Sequence, residues 1–318
     1  MLISVYKVLT ENIPCLKQNK GLHLLQEKIM LKKIDIDGVF KAKNPRLYKI
    51  LPSSIISFIK KIVHQEEINI FLEKHHRKYD FDFVEAIIHD FKITTKAIGL
   101  ENLPAQTPCI VASNHPLGSL DAMALLHETG KVRKDIKFLV NDILLNLENL
   151  KNIFSGVNKV GKTATQALEE IEKVFAMNIA VFTFPAGLVS RKLYPNGFLS
   201  KPVIEDLEWK KSFISRSKRN KKDIIPVYID GKNSNFFYNL ANWRKKIGIQ
   251  ANIEMLFLVD EMYKQRVKTI TIIFGEPISY ETFDKRHTDS EWAELVRKHV
   301  YKMGKKMQPL KFEPGIIS

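Results

Sequence analysis

Hydrophobic positions recur at helical spacing early in the chain and in short strand-like runs later. In LPSSIISFIKKIVHQ, Ile55, Ile59, Ile62 and Val63 share one helical face with Lys60 and Lys61 off it, which predicts an amphipathic helix. Such a helix either packs on the main domain or lies in a membrane interface with its lysines on headgroups. A second helix is expected over 79–90. Beyond it, FKITTKAIGL (91–100), PCIVASNH (108–115), IKFLV (136–140), IAVFTFP (179–185), DIIPVYIDG (223–231) and VKTITIIFG (267–275) read as strands. Residues 121–129, 164–177 and 288–304 read as helices, the last capped by Asp289 or Ser290. This alternation predicts an α/β fold with a mostly parallel central sheet flanked by helices. The expected organisation is a helical N-terminal extension over 1–94, an α/β domain over 95–304 and a frayed tail over 305–318. Residues 1–29 show little pattern and lead into Met30, so they read as an upstream extension with translation starting at Met30.

The chain has 318 residues, 45% of them hydrophobic, enough for a sizeable core. Its net charge of +15 draws it to polyanions, whether nucleic acid, an anionic lipid surface or acidic substrates. Cys15 and Cys109 form no CxxC pair, so neither a disulfide framework nor a zinc site is implied. No apolar run reaches the ~18–20 residues a spanning helix needs. The segment WKKSFISRSKRNKK (209–222) carries seven Lys or Arg and no acid. It reads as a solvated loop or as a landing patch for phosphate, on a lipid headgroup or nucleic acid. A nucleic-acid role would need Trp209 and Phe213 for base stacking.

Candidate chemistry concentrates in SNHPLGSLDAMAL (113–125). A His at the C-terminal end of a strand sits where open α/β sheets bind ligands. Asp121, across the Pro116–Ser119 turn, is placed to hold an imidazole nitrogen of His115 and stabilise the imidazolium. With no G-x-S-x-G elbow, His115 would activate a substrate hydroxyl directly. The plainer reading makes Asp121 only the N-cap of the next helix. FPAGLVSR (184–191) again follows a strand and offers a glycine and the Arg191 fork. Pro226 within IIPVYIDG suggests a sheet-edge or site-lining strand.

In order and spacing, these blocks resemble the glycerolipid acyltransferase family, which includes the 1-acylglycerol-3-phosphate acyltransferases. The matching pieces are Asn114-His115…Asp121, the region of Lys159-Val160-Gly161, Phe184-Pro185-Ala186-Gly187…Ser190-Arg191, and Ile225-Pro226-Val227. His115 and Asp121 are separated by five residues where the family usually has four, and Ala186 stands where it usually has Glu. Both departures look like the subgroup of hemolysin-like sequences and ornithine- or glycine-lipid O-acyltransferases. The resemblance implies His115 as general base, Asp121 as its partner, and Asn114, Lys159, Gly161, Pro185, Gly187, Ser190 and Arg191 as substrate-binding residues. It implies an acyl thioester of acyl carrier protein or coenzyme A as co-substrate and a lysolipid acceptor. It further implies an anionic membrane surface, on its cytoplasmic face, as partner. No nucleic acid, metal or bound cofactor is expected.

Residues 156–163, GVNKVGKT, match the P-loop pattern. A P-loop follows a buried apolar strand, and LKNIFS with Lys151, Asn152 and Ser155 makes a poor one. The helix at 164 is present, so the segment reads better as an anion site before a helix N-terminus than as a nucleotide site.

Overall fold

The computed structural model describes residues 33–314 apart from 44, 141–143, 157–163, 196, 198–199 and 251. The reading of 1–29 therefore lies outside the described residues, as do Lys159, Gly161 and most of GVNKVGKT. Four helices come first: α1 (Ile36–Lys43), α2 (Pro45–Ile50), α3 (Ser53–Ile62) and α4 (Gln65–Lys74). Then come α5 (Asp80–Asp90), β1 (Thr94–Ile98), β2 (Cys109–Ser113), α6 (Ser119–Thr129), β3 (Ile136–Val140) and β4 (Phe154–Gly156). They are followed by α7 (Ala164–Ala176), β5 (Ala180–Thr183), β6 (Arg191–Leu193), β7 (Val203–Glu205), α8 (Ser212–Asn220) and β8 (Asp223–Ile229). The described chain closes with α9 (Asn235–Lys246), α10 (Leu258–Lys264), β9 (Thr269–Phe274) and α11 (Asp289–Lys306).

Seven strands form one sheet in the order β1-β9-β8-β2-β5-β3-β4. Every neighbouring pair is parallel except β8 with β9. Strand residues alternate between two cores. Val111, Phe182 and Ile225 pack with α5 and α6 on one face, while Ile110, Val181 and Ile224 pack with α7, α8 and α11 on the other. Both faces are covered, so the strands read as continuous apolar runs. A smaller cluster of Ile36, Phe40, Ile56, Ile59, Ile62 and Val63 closes on Leu256 and holds the first helices together.

Several expectations change. On α3 the buried face is Ile56, Ile59, Ile62 and Val63, so the helix packs against the protein and Ile55 points outward. Segment 209–222 is not a solvated loop. It folds as α8, with Trp209, Phe213 and Ile214 buried. Arg216 and Arg219 pair with Glu172 and Lys218 with Asp289, while Lys222 is buried with its ammonium on the Met177 and Ile179 carbonyls. Helix α11 is capped by Thr288, whose hydroxyl accepts from Glu291 N while the Glu291 carboxylate accepts from Thr288 N. This reciprocal cap outcompetes Asp289 or Ser290. Within the tail, Leu310 and Phe312 lie against the α11 core, while Lys311, Glu313 and Pro314 are exposed.

Pro226 lies in a central strand, not an edge. Ile224 N and Asp230 N, of the same parity, donate to Ile278 O and Thr271 O, so the position of the missing Pro226 N–H faces the β9 side. There the ladder is interrupted between Phe274 and the Ile278 bridge, and only Gly275 N reaches Pro226 O. A proline fits where no donor is called for. LKNIFS does contain a strand, but β4 has three residues and lies at the sheet edge.

Candidate active site

Strand β2 delivers Asn114 and His115 to the C-terminal end of the sheet. Asn114 is buried, its Oδ1 accepting from Ile229 N at 2.7 Å and its Nδ2 donating to Ile229 O at 3.0 Å. The side chain extends the β2–β8 ladder one step past the last backbone pair. Both polar ends of the side chain expected to bind substrate are thus engaged by the Ile229 backbone.

The chain then turns through Pro116, Leu117 and Gly118 into α6. Gly118 adopts φ +82° and ψ −135°, a conformation that favours glycine, and a Cβ there would lie 3.3 Å from Leu258. This turn absorbs the extra residue between His115 and Asp121. Asp121 sits in the first turn of α6, fully buried. Its Oδ2 accepts from Leu117 N at 2.8 Å and Gly118 N at 3.0 Å, and lies 2.9 Å from His115 Nδ1. The capping reading and the imidazole reading therefore hold together, on one oxygen. Oδ1 is buried without a partner among the described residues. Burial pushes the Asp121 carboxyl above the ordinary carboxylate range, opposed by the His115 hydrogen bond.

His115 is held from every side. Its ring stacks on Phe184, centroids 4.0 Å apart. Its carbonyl accepts from Ser190 N at 2.8 Å, and its N–H donates to Asp206 Oδ1 at 3.2 Å. With Nδ1 taken by Asp121, Nε2 is the nitrogen left to meet a substrate, and the side chain keeps 17% of its exposure.

Asp206 is the residue that sequence reasoning missed. The antiparallel β6–β7 pair sets Arg191 opposite Glu205, which brings Ser190 beside Asp206. The Asp206 carboxylate accepts from Ser190 Oγ at 2.6 Å, from Trp209 Nε1 at 2.9 Å and from His115 N. Its own N–H donates to Tyr301 Oη at 2.6 Å. Burial raises this acid too. The sequence signal was an acid in IEDLEW just before a buried Trp, visible only once β6 and β7 are paired. Ser190 has both its N–H and hydroxyl in this network, so it braces the site.

Of the remaining predicted residues, Pro185 is buried and its carbonyl accepts from Lys210 N at 3.1 Å. Gly187 is exposed at φ +68°, and its N–H donates to Phe184 O at 3.0 Å, within the turn itself. The Lys210 ammonium stands over this glycine, 3.3 Å from where a Cβ would be. Arg191 does not reach the surface. It is buried, with Nη2 on Glu254 Oε1 at 3.0 Å and the guanidinium over Phe237, and Nη1 lacks a partner among the described residues. Glu254 also takes Arg244, so its charge is shared between two guanidiniums. The structure thus joins His115, Asp121, Asn114, Pro185, Gly187 and Ser190, and adds Asp206 and Lys210. It sets Arg191 behind them.

The chain is similar along most of its length to known proteins. A sequence model of the family described as acyltransferase matches residues 38–308. The "Lyso-glycine lipid O-acyltransferase" of Bacteroides thetaiotaomicron is 45% identical over 271 residues, covering 85% of this chain and 97% of that protein. The protein of the same name from Phocaeicola vulgatus is 42% identical over 271 residues, covering 85% and 95%. Among solved structures, the 1-acyl-sn-glycerophosphate acyltransferase PlsC of Thermotoga maritima aligns with 79% of this chain and 92% of its own, at 16% identity and a TM-score of 0.43. The family match over most of the chain, with two relatives this similar along nearly their whole length, shows that this chain belongs to the acyltransferase family and is an acyltransferase.

Proposed function

We propose that the protein transfers a fatty acyl group from an acyl thioester to the hydroxyl of a lysolipid, with a lyso-glycine lipid as acceptor. The observation that carries this reading is the 2.9 Å contact between His115 Nδ1 and the buried Asp121 Oδ2 at the sheet's C-terminal end. The names of the two relatives support the choice of acceptor over 1-acylglycerol-3-phosphate. The donor is a thioester of acyl carrier protein or coenzyme A, and the reaction needs no bound metal or cofactor.

In the reaction, Asp121 keeps the Nδ1 proton in place, so the Nε2 lone pair accepts the acceptor's hydroxyl proton. The hydroxyl oxygen attacks the thioester carbonyl carbon, forming the C–O bond and a tetrahedral intermediate. Collapse breaks the C–S bond, and the proton on Nε2 passes to the departing thiolate. Products are the O-acylated lipid and the free thiol. Asp121 stabilises the transient imidazolium without itself becoming protonated. Phe184 and the Asp206 clamp fix the ring, so less reorganisation is needed at the moment of transfer. The same chemistry suits a protein working at the cytoplasmic face of a membrane, where a soluble thioester donor meets a lipid acceptor.

The test is acyl transfer by purified protein to lyso-glycine lipid, with acyl carrier protein and coenzyme A thioesters in turn. The expected result is an O-acylated product from at least one donor, reduced about 10²–10⁴-fold in His115→Ala. Undiminished transfer in His115→Ala, or product only from 1-acylglycerol-3-phosphate, overturns the mechanism or the acceptor respectively.

A further inference from the structure

We propose that α9, together with α3, forms the surface on which this protein docks to an anionic lipid bilayer. Two segments far apart in sequence carry no Asp or Glu at all. Residues 38–65 hold six Lys or Arg, and residues 231–253 hold four. Those same segments bear large apolar side chains that point outward. Phe58, Phe236, Trp243 and Ile247 are each half or more exposed. Phe236 and Trp243 lie seven residues apart, two turns along one face of α9.

The fold brings the two segments together. Phe257 meets Phe58 at 6.5 Å and Phe236 at 5.0 Å between ring centroids, making one aromatic ridge from α3 to α9. Lys60 is paired with Asp37 and the buried Arg244 with Glu254, but Lys41, Arg46, Lys49, Lys61, Lys232 and Lys245 are exposed. Aromatic side chains among exposed cations are the combination that an anionic headgroup layer accepts, rings at the acyl boundary and ammoniums among the phosphates. A protein partner would ask for acids as well as bases at its rim. A nucleic acid would ask for rings free to stack, and this ridge turns its rings edge-on to one another.

The ridge also adjoins the chemistry. Phe237, next to Phe236, packs on Arg191, and the Phe237, Tyr238 and Val189 cluster takes in Phe257 and Leu258, the residue against Gly118. A lipid acceptor would therefore stay at the interface while its hydroxyl reaches His115. This last point rests on the acyl-transfer reading; the docking surface itself does not.

The chain supplies its own reporter. Of its three tryptophans, Trp209 and Trp292 are buried and Trp243 is exposed. The experiment mixes the full chain with phosphatidylcholine vesicles containing about 30 mol % phosphatidylglycerol, some brominated on the acyl chains. Expected are a blue shift and quenching of tryptophan emission, both lost in Trp243→Phe, which still sediments with vesicles. Phe236→Ser with Trp243→Ser, and separately Phe58→Ser, lower vesicle affinity, the double variant by about tenfold or more. Each keeps wild-type acyl transfer to a short-chain acceptor dissolved without vesicles. Vesicle binding with no change in emission, or unchanged binding by the double variant, overturns the surface. If transfer is absent in every protein while quenching follows this pattern, the acyl-transfer reading fails and the surface stands.

Discussion

Asp121 accepts from Leu117 N, Gly118 N and His115 on Oδ2 and leaves Oδ1 buried without a partner among the described residues, whereas Asp206 uses both oxygens for three donors. The two buried acids should therefore answer differently to the same change. In Asp121→Asn the amide oxygen can still take the two backbone donors, and the buried charge is gone. The sign follows from linkage. With the folded carboxyl raised above its unfolded value near ~4, the native state binds more protons in that window, so wild-type stability falls as pH rises through it. Asparagine removes this dependence. Melting temperature in Asp121→Asn should match or exceed wild type at neutral pH, with the difference shrinking as pH falls toward the unfolded value near ~4, while acyl transfer falls about 10²–10⁴-fold. Asp206→Asn turns an amide N–H toward one of three donors and should cost about 1–3 kcal/mol by denaturant titration. Equal destabilisation by both would contradict this assignment of roles. Lys210 gives the second residue-scale prediction. Its ammonium stands over Gly187, while Arg191 is already paired with Glu254. Lys210→Gln should raise KM for the substrate carrying the contacted anion about tenfold with kcat little changed, and Lys210→Arg should recover most of it. Measuring KM for acceptor and donor separately tells a lipid carboxylate from a donor phosphate. His115 and Asp121 were legible because they are near in sequence and belong to one turn. Asp206 was not, because its partners His115 and Tyr301 are 91 and 95 positions away.

At the scale of elements, the turn from β2 into α6 shows how a local rule serves the site. An extra residue between His115 and Asp121 is compatible with a 2.9 Å contact because Gly118 takes a backbone conformation few other residues tolerate. Gly118→Ala meets Leu258 and a positive φ together, and should lower stability by about 1–3 kcal/mol. It should also lower kcat more than a surface variant of equal stability, since the turn sets the His115–Asp121 geometry; kcat loss merely tracking stability would separate the turn from catalysis. Strands were easy to find in sequence because both sheet faces are covered and the apolar runs are unbroken, as in IKFLV, which is β3 from end to end. Segment 209–222 misled because its charge density hid a buried stripe: Trp209, Phe213 and Ile214 fill the core while Arg216 and Lys218 pair with acids on other elements. Pro226 misled for a different reason. Proline excludes a ladder donor, and only the tertiary arrangement reveals that β9 asks for none at that point.

For the whole molecule, the net charge of +15 left nucleic acid and membrane equally open. The proposed docking surface rests on where the fold puts the aromatics. Trp209 and Phe213, the rings needed to stack bases beside the basic run, are buried, whereas Trp243, Phe236 and Phe58 face outward from acid-free segments. No helix among the described residues is long and apolar enough to cross a bilayer. Attraction to an anionic surface then depends on exposed charge, which salt screens over a Debye length shrinking from about 30 Å at 0.01 M to about 8 Å at 0.15 M. Chemistry at His115 depends on contacts of 3 Å or so within a buried network, which that screening barely reaches. The two should come apart on titration with salt. Acyl transfer to an acceptor embedded in phosphatidylglycerol-containing vesicles should fall steeply between these ionic strengths. Transfer to a short-chain acceptor in solution should change by no more than about twofold over the same range. In neutral phosphatidylcholine vesicles the slope should flatten, because the aromatic ridge still inserts while the ammoniums lose their counter-charges. A steep fall with the soluble acceptor would move the decisive charges from the docking face into the site, where Lys210 stands.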